Sequence, residues 1–376
     1  MRAMETNRLF EDISALIEQS RQHIAKSVNT TMVYTYFGIG KYIVEYEQNG
    51  ERRAEYGKET LKNLSFRLTD KYGRGWSVDT LEKCRWLYKA YSNDQISATM
   101  QRKSLSKKSA TAQRKSSETP DRHNEIVPGT DEIHSFVLSW NHYQILMRID
   151  NPLERSFYEV EAYNGNWSVR QLQRQVASSL FERLALSRDK DEVMRLACEG
   201  QIMQKPDDII KNPVVLEFCG LKPDESYTET KLETALISKI QQFLMEMGKG
   251  FLFEARQKRF TFDEDNYYVD LVLYNRILQC YVLVDLKIDK LSHQDLGQMQ
   301  MYVNYFDRYV KLDFEKPTIG ILLCRTKSNA LVELTLPPDA NIYAQQYALC
   351  LPDKQLLQSK LQQWCNEFET NNVTEN

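Results

Sequence analysis

The chain has few cysteines, and they form no pattern. The seven, at 84, 198, 219, 280, 324, 350 and 365, are odd in number and scattered, and no two stand in a CxxC. That excludes a disulfide framework and a cysteine-type zinc site, and it suits a reducing cytoplasm. The five histidines are never paired at helical spacing, which argues against a histidine metal centre. Long apolar runs are missing as well. IGILLC at 319–324 is among the longest, far short of the ~20 residues that a bilayer requires. The opening stretch MRAMETNRLFEDISALIEQS has no apolar core, so a secretory signal is not expected. No glycine-rich phosphate loop occurs, so no built-in ATPase is expected. What is present is a 376-residue chain, 42% hydrophobic and 27% charged, suited to two or more globular domains.

The net charge of -3 is unevenly spread. Residues 1–130 hold 22 Lys and Arg against 16 Asp and Glu, a net +6, and residues 131–376 hold 27 against 36, a net -9. A basic front and an acidic back suit nucleic-acid contact upstream and a carboxylate site downstream, although ordinary solvated surfaces give the same balance. Within the front, 95–117 has six basic residues, no acidic one and many Ser, Thr, Ala and Gln. This reads as a basic extended linker able to touch phosphates without sequence preference.

Around the linker the periodicity is helical. Helices are predicted over 5–27, 31–47, 58–72 and 78–91, with Gly38 and Gly40 marking close packing in the second. A Gly73-Arg74-Gly75 turn and the N-cap Ser77 separate the last two. This pair resembles a helix-turn-helix, which would present Ser77, Thr80, Lys83 and Arg85 to DNA; a plain helical hairpin is the competing reading. Further helices are predicted after Ser139, over 152–164, and from Ser168 to about 185. Trp140, His142, Tyr143, Tyr158 and Trp167 are expected to be core. Pro206, Pro213 and Pro223 mark 187–230 as a connector.

After residue 230 the pattern changes. An amphipathic helix at 231–248 precedes strands at 250–262, 266–275 and 278–287, a helix at 291–310 and a strand at 316–325. That order predicts an α/β sandwich around a mixed sheet. LQCYVLVDLK at 278–287 is nearly all apolar, as in a strand buried on both faces, yet it carries Asp285 and Lys287. Two residues apart, they share one face, with Val284, Leu286 and Ile288 on the other. Asp270 similarly interrupts the preceding strand. Two carboxylates and a lysine on one sheet face are what metal-assisted phosphodiester hydrolysis uses. The carboxylates hold a hard cation such as Mg²⁺, and the lysine orients water or steadies the phosphate. The competing reading is a buried ion pair.

VD at 269–270 followed by DLK at 285–287 resembles the PD-(D/E)XK nuclease signature. The wider run FEARQKRF, YYVDLVLYN, YVLVDLK and LGQMQMYVNYFD is similar to the YhcG-like family of bacterial PDDEXK nucleases. GKYIVEYEQNGERRAEYGK, LSWNHY and FYEVEAYNGNWSVRQLQRQ resemble that family's helical N-terminal domain. The resemblance implies an all-α N-terminal region followed by an α/β restriction-endonuclease-like domain. Its parts would be 1–94 (helical), 95–130 (linker or insert), 131–190 (helical), 191–230 (connector) and 231–376 (nuclease). It implies Asp270, Asp285, Lys287 and Gln298 as catalytic, with Asp270, Asp285 and Glu233 holding Mg²⁺, for which Mn²⁺ substitutes. Gln257 and Arg259, in the polar stretch beside the site, and Lys83 and Arg85 would bind nucleic acid. Asp285 stands where many relatives have Glu, one methylene longer. His293, at a helix start, reads as a surface residue.

The expected activity is that of a metal-dependent nuclease, on DNA rather than RNA, in the cytoplasm and away from membranes. The helical front would recognise nucleic acid or mediate oligomerisation as a homodimer, and protein partners in a defence or recombination system are a further expectation. The alternative is a non-catalytic nucleic-acid-binding or partner-binding protein that retains the fold. One geometric question stays open. A tight turn at Asn275-Arg276 would set Asp270 opposite Tyr281, leaving Asp285 ~13 Å along at ~3.3 Å per residue, too far to share a metal. A longer loop over about 275–280, or a β-bulge, would bring the two aspartates together.

Overall fold

The computed structural model describes residues 2–49, 54–92, 135–186, 190–211, 213–222, 226–326, 329–337 and 340–361. The basic linker therefore lies outside the described residues. The chain divides into two compact units, Met1–Gln173 with Ala197–Gly200, and Arg174–Leu196 with Gln201–Asn376.

The first unit is helical: α1 (Arg2–Asn49), α2 (Ala54–Tyr72), α3 (Val78–Tyr91), α4 (Trp140–Leu146) and α5 (Pro152–Asn164). The two helices expected over 5–47 are one continuous helix. Ser27, Asn29 and Thr30 are poor helix formers but not breakers, and the Thr35 hydroxyl donates to the Thr31 carbonyl at 2.9 Å within the helix. Gly40 is where α1 crosses α3: a Cβ there would lie 2.1 Å from the Cys84 carbonyl oxygen, whereas Gly38 has open space. Ile43, Leu61 and Leu81 form a small core, and Phe37, Tyr91, Phe136 and Tyr143 form an aromatic one. Tyr143 and Tyr158 are fully buried. His142 sits between Ser139 Oγ at 2.7 Å and the Trp167 carbonyl at 2.9 Å, which occupies both ring nitrogens structurally.

The helix expected from Ser168 to 185 is two, α6 (Val169–Ala177) and α7 (Leu180–Ala185), broken at Ser179 in the left-handed region with φ 51°. The break is held by buried Arg183, whose Nε donates to the Ser178 carbonyl at 2.8 Å. The expected connector is also more structured than its prolines suggest. It contains α8 (Lys190–Glu199) and a two-residue strand, β1 (Val214–Val215).

The second unit is a six-stranded mixed sheet in the order β1-β6-β5-β4-β3-β2. Its other strands are β2 (Phe251–Phe262), β3 (Asp265–Asn275), β4 (Cys280–Lys290), β5 (Ile319–Thr326) and β6 (Ile342–Ala348). The hairpin β2–β3–β4 is antiparallel; β4–β5, β5–β6 and β1–β6 are parallel. α9 (Glu229–Ser238) and α10 (Ile240–Met247) cover one face, burying Leu271, Leu273, Val284, Leu286 and Ile321. α11 (His293–Tyr309) covers the other with Val272, Leu283, Leu322 and Cys324. The continuous apolar character of β4 and β5 follows from this double coverage. A short helix, α12 (Asn329–Thr335), joins β5 to β6. Among the described residues no helix is long and apolar enough to cross a membrane.

Candidate active site

The register of β3 on β4 answers the question of the two aspartates. The strands pair from Asn275↔Cys280 to Leu271↔Val284. One step further, the same register sets Asp270 against Asp285. The connection is a four-residue loop, not a tight turn, and Asn275 builds it. The buried Asn275 Oδ1 accepts the backbone N–H groups of Ile277 at 3.0 Å and Leu278 at 3.1 Å, while its Nδ2 donates to the Lys249 carbonyl at 3.1 Å. Asn275 is a turn signal as read, but its side chain organises a longer loop.

Asp270 Oδ2 accepts the Leu286 N–H at 2.8 Å, and Asp270 Oδ1 accepts from Gln257 Nε2 at 2.8 Å. Asp285 is buried and receives Lys287 Nζ at 2.8 Å. Burial and the facing Asp270 carboxylate push the Asp285 carboxyl up to about 7, against the opposing pull of Lys287. Burial alone would lower the Lys287 ammonium, but Asp285, Glu229 and Asp295 hold it above its usual value. Asp285 and Lys287 lie on the α11 side with Leu283, and Val284, Leu286 and Ile288 pack on the opposite side.

Glu233, buried on α9, is held by two neighbours from β2: Arg256 Nε at 2.6 Å on Oε1 and Gln257 Nε2 at 3.0 Å on Oε2. It is thus linked to Asp270 through the Gln257 amide. Gln298 on α11 donates from Nε2 to the hydroxyl of buried Tyr302. Burial raises the Tyr302 phenol, and Asp285 and Asp270 raise it further, which sets α11 beside the carboxylates. Arg259 is directed elsewhere, with Nε donating to Asn266 Oδ1 at 3.0 Å in the hairpin. In the helical unit Lys83 pairs with Asp79 at 2.7 Å, Arg85 with Glu47 at 2.9 Å, and Ser77 Oγ caps α3 by accepting the Thr80 N–H at 3.2 Å. His293 is exposed at the start of α11.

Sequence reading missed four neighbours of this site. Glu229 stands one helical turn before Glu233 and acts on both Asp285 and Lys287. Asp295 lies 4.0 Å from Lys287 and closes a capping box with Ser292. Arg256 and Tyr302 complete the set. The four-residue spacings Glu229–Glu233 and Gln298–Tyr302 were the available signal, since such pairs share a helix face.

Among the described residues no three His, Cys, Asp or Glu side chains gather as a metal cluster. The donor set still fits a hard divalent cation. Two facing carboxylates lie at the site, one of them raised by its burial and by the other, and Mg²⁺ commonly takes one or two carboxylates and keeps several waters.

The second unit is thus a mixed sheet with helices on both faces and an Asp–Asp–Lys set across the adjacent strands β3 and β4, following a helical region. Family comparison supplies the class. Residues 207–362 match the YhcG PDDEXK nuclease domain, and residues 12–183 match the DUF1016 N-terminal domain. A protein of Escherichia coli (strain K12) named "Putative nuclease YhcG" is 36% identical over 355 residues, covering 94% of this chain and 93% of that one. The chain belongs to the YhcG family, with a DUF1016 N-terminal domain and a C-terminal PDDEXK nuclease domain. Among solved structures, a repair endonuclease from Pyrococcus abyssi matches with 19% identity and a TM-score of 0.23, over 34% of this chain and 50% of that one. An EndoMS–dsDNA complex matches with 16% identity and a TM-score of 0.24, over 35% and 50%. The chain thus spans about half the length of each.

Proposed function

We propose that the protein is a Mg²⁺-dependent nuclease that hydrolyses phosphodiester bonds in DNA. The observation that carries this reading is the pairing register that sets Asp270 opposite Asp285 with Lys287 hydrogen-bonded beside them. A cation at this point would be held by Asp270 and Asp285, with Glu233 supporting them from α9. When bound, Mg²⁺ supplies an acidified water and neutralises charge developing on the phosphate.

The chain's own groups do the rest. The Leu286 N–H and the Gln257 amide fix the Asp270 carboxylate in orientation. Lys287, with its proton held at Nζ beside Asp285, would steady negative charge developing on a bound phosphate or orient the attacking water. Gln298 and Tyr302 wall the site on the α11 side. Exposed Lys258 and Arg259 on β2 offer charge for a phosphate backbone. Recognition by the helical unit would require a phosphate to displace Lys83 from exposed Asp79 and Arg85 from partly buried Glu47.

The test is single-turnover cleavage of plasmid, linear duplex, single-stranded DNA and RNA with Mg²⁺ or Mn²⁺. DNA should be cut by wild type and not by Asp270→Ala, and chelation should abolish cutting. Preferential cutting of RNA would overturn the substrate, and equal cutting by Asp270→Ala would overturn the site.

A further inference from the structure

We infer that Gln257 is a positioning residue, one that orients the Asp270 carboxylate for the cation, and not a contact for nucleic acid; this rests on the metal reading above. Gln257 lies in β2 between the paired residues Arg256↔Leu271 and Lys258↔Val269, so register sets it opposite Asp270. One row across the sheet therefore reads Gln257, Asp270, Asp285. The amide nitrogen has two hydrogens, and each meets a different carboxylate, Asp270 Oδ1 at 2.8 Å and Glu233 Oε2 at 3.0 Å. The reverse amide orientation would set oxygen against two carboxylates, so this placement is chemically determined.

The backbone is shaped for the task. Gln257 has φ 47°, left-handed and in mid-strand. Consecutive residues of a regular strand point to opposite faces. Here Arg256 and Gln257 are consecutive and both reach Glu233, on separate oxygens. A non-glycine residue held in that region is strained and persists where its surroundings over-determine it, a pattern found at functional sites. The result is a relay from Arg256 through Glu233 and Gln257 to Asp270, whose other oxygen is fixed by the Leu286 N–H.

The residue type also fits. A lysine or arginine at 257 would cancel the charge of Asp270 and compete with a cation. A neutral amide orients the carboxylate and leaves its charge for the metal, as groups behind metal ligands commonly do. A phosphate contact would require the same two hydrogens, so the two roles exclude each other.

The test uses the full chain with two variants. Gln257→Gly removes the amide and accepts the left-handed backbone without strain. Gln257→Asn keeps an amide one methylene shorter and tolerates that backbone better than most residues. Three quantities are measured: Mn²⁺ affinity by titration calorimetry without nucleic acid, DNA affinity by fluorescence anisotropy in chelator, and cleavage across a range of Mn²⁺. Gln257→Gly should lose ~10–100-fold in Mn²⁺ affinity. Its metal-free DNA affinity should be unchanged, and high Mn²⁺ should restore cleavage towards wild type. Gln257→Asn should lose metal affinity in the same direction, and it carries the test if the glycine variant fails to fold. Wild-type Mn²⁺ affinity in a folded variant overturns the proposal, as does reduced DNA affinity with metal binding intact. Wild-type protein that binds no Mn²⁺ overturns the metal reading itself, an outcome distinct because it needs no variant.

Discussion

Two buried acidic centres within the same unit behave in opposite ways. Glu246 on α10 has no exposed side-chain surface. Its Oε1 accepts Arg183 at 2.5 Å and the Val215 N–H at 3.0 Å, and Arg174 lies on Oε2 at 3.4 Å. Lys211 donates to the Glu246 main-chain carbonyl. Burial works to raise this carboxyl, but Arg183, Lys211 and Arg174 outweigh it and hold it at about 2. Asp285 is nearly as buried, but it faces a second carboxylate and has one lysine, and it is pushed up to about 7. The first centre is saturated with its own cations and needs no other. The second has fewer cations than carboxylates. Burial is common to both, so the charge balance around the acid is what sets their carboxyl groups apart, and a surplus of carboxylates is what the proposed cation site would use.

The largest effect should come from breaking the saturated centre. Arg183→Met keeps bulk but strands Glu246, and should destabilise the protein by ~3–5 kcal/mol. Urea denaturation measures this, and a loss below ~1 kcal/mol would mean that Arg174 and Lys211 suffice. At the other centre the effect should fall on rate. Lys287→Met should lower single-turnover cleavage by at least ~10²-fold with metal and DNA still bound and little change in melting temperature. Wild-type cleavage by the folded variant would remove Lys287 from catalysis, and a lowered melting temperature with activity per folded molecule unchanged would make it structural.

Acidity sharpens the contrast because the two shifts have opposite signs. The depressed Glu246 contributes stability that is present above its unfolded value of about 4.5 and lost as pH falls towards about 2. The raised Asp285 binds a proton more readily folded than unfolded. Its contribution is therefore full below about 3.8 and lost as pH rises through about 7 in metal-free protein. Added Mn²⁺ should reverse the second trend by selecting the ionised carboxylate. Melting temperatures between pH 4 and 8, with and without Mn²⁺, test this, and identical profiles for wild type and Asp285→Asn would contradict it. The smallest effect is expected from Arg259→Ala. It should reduce the slope of log affinity for DNA against log salt by about one unit and leave Mn²⁺ binding unchanged, the opposite of the result expected at Gln257.

Much of the second unit was legible because strands buried on both faces are nearly uninterrupted runs of Val, Leu and Ile. β6 was not, since IYAQQYA mixes buried and half-exposed positions without a clear period. β1 is two residues long in a proline-bearing stretch and exists only because β6 pairs with it. Among the helices, existence was legible, but the join of two predicted helices into α1 in the first unit and the break at Ser179 in the second were not. Neither point carries a glycine or proline; the break depends on Arg183 reaching back to Ser178.

What the sequence determined by itself was the identity of the charges. A carboxylate or ammonium in an apolar strand has a desolvation cost that only a partner or a function offsets, so Asp270, Asp285 and Lys287 stand out without coordinates. Only the tertiary structure decided which of them meet. The register of β3 on β4 depends on two side-chain bonds from Asn275 that lengthen a loop, and a different loop would have moved Asp270 ~13 Å along the strand from Asp285. The convergence of Arg256, Gln257 and Glu233 depends on one left-handed backbone angle and on a helix more than twenty residues upstream. Residue types are local properties of the chain. Register and convergence are set by non-local pairing, which a linear sequence does not display.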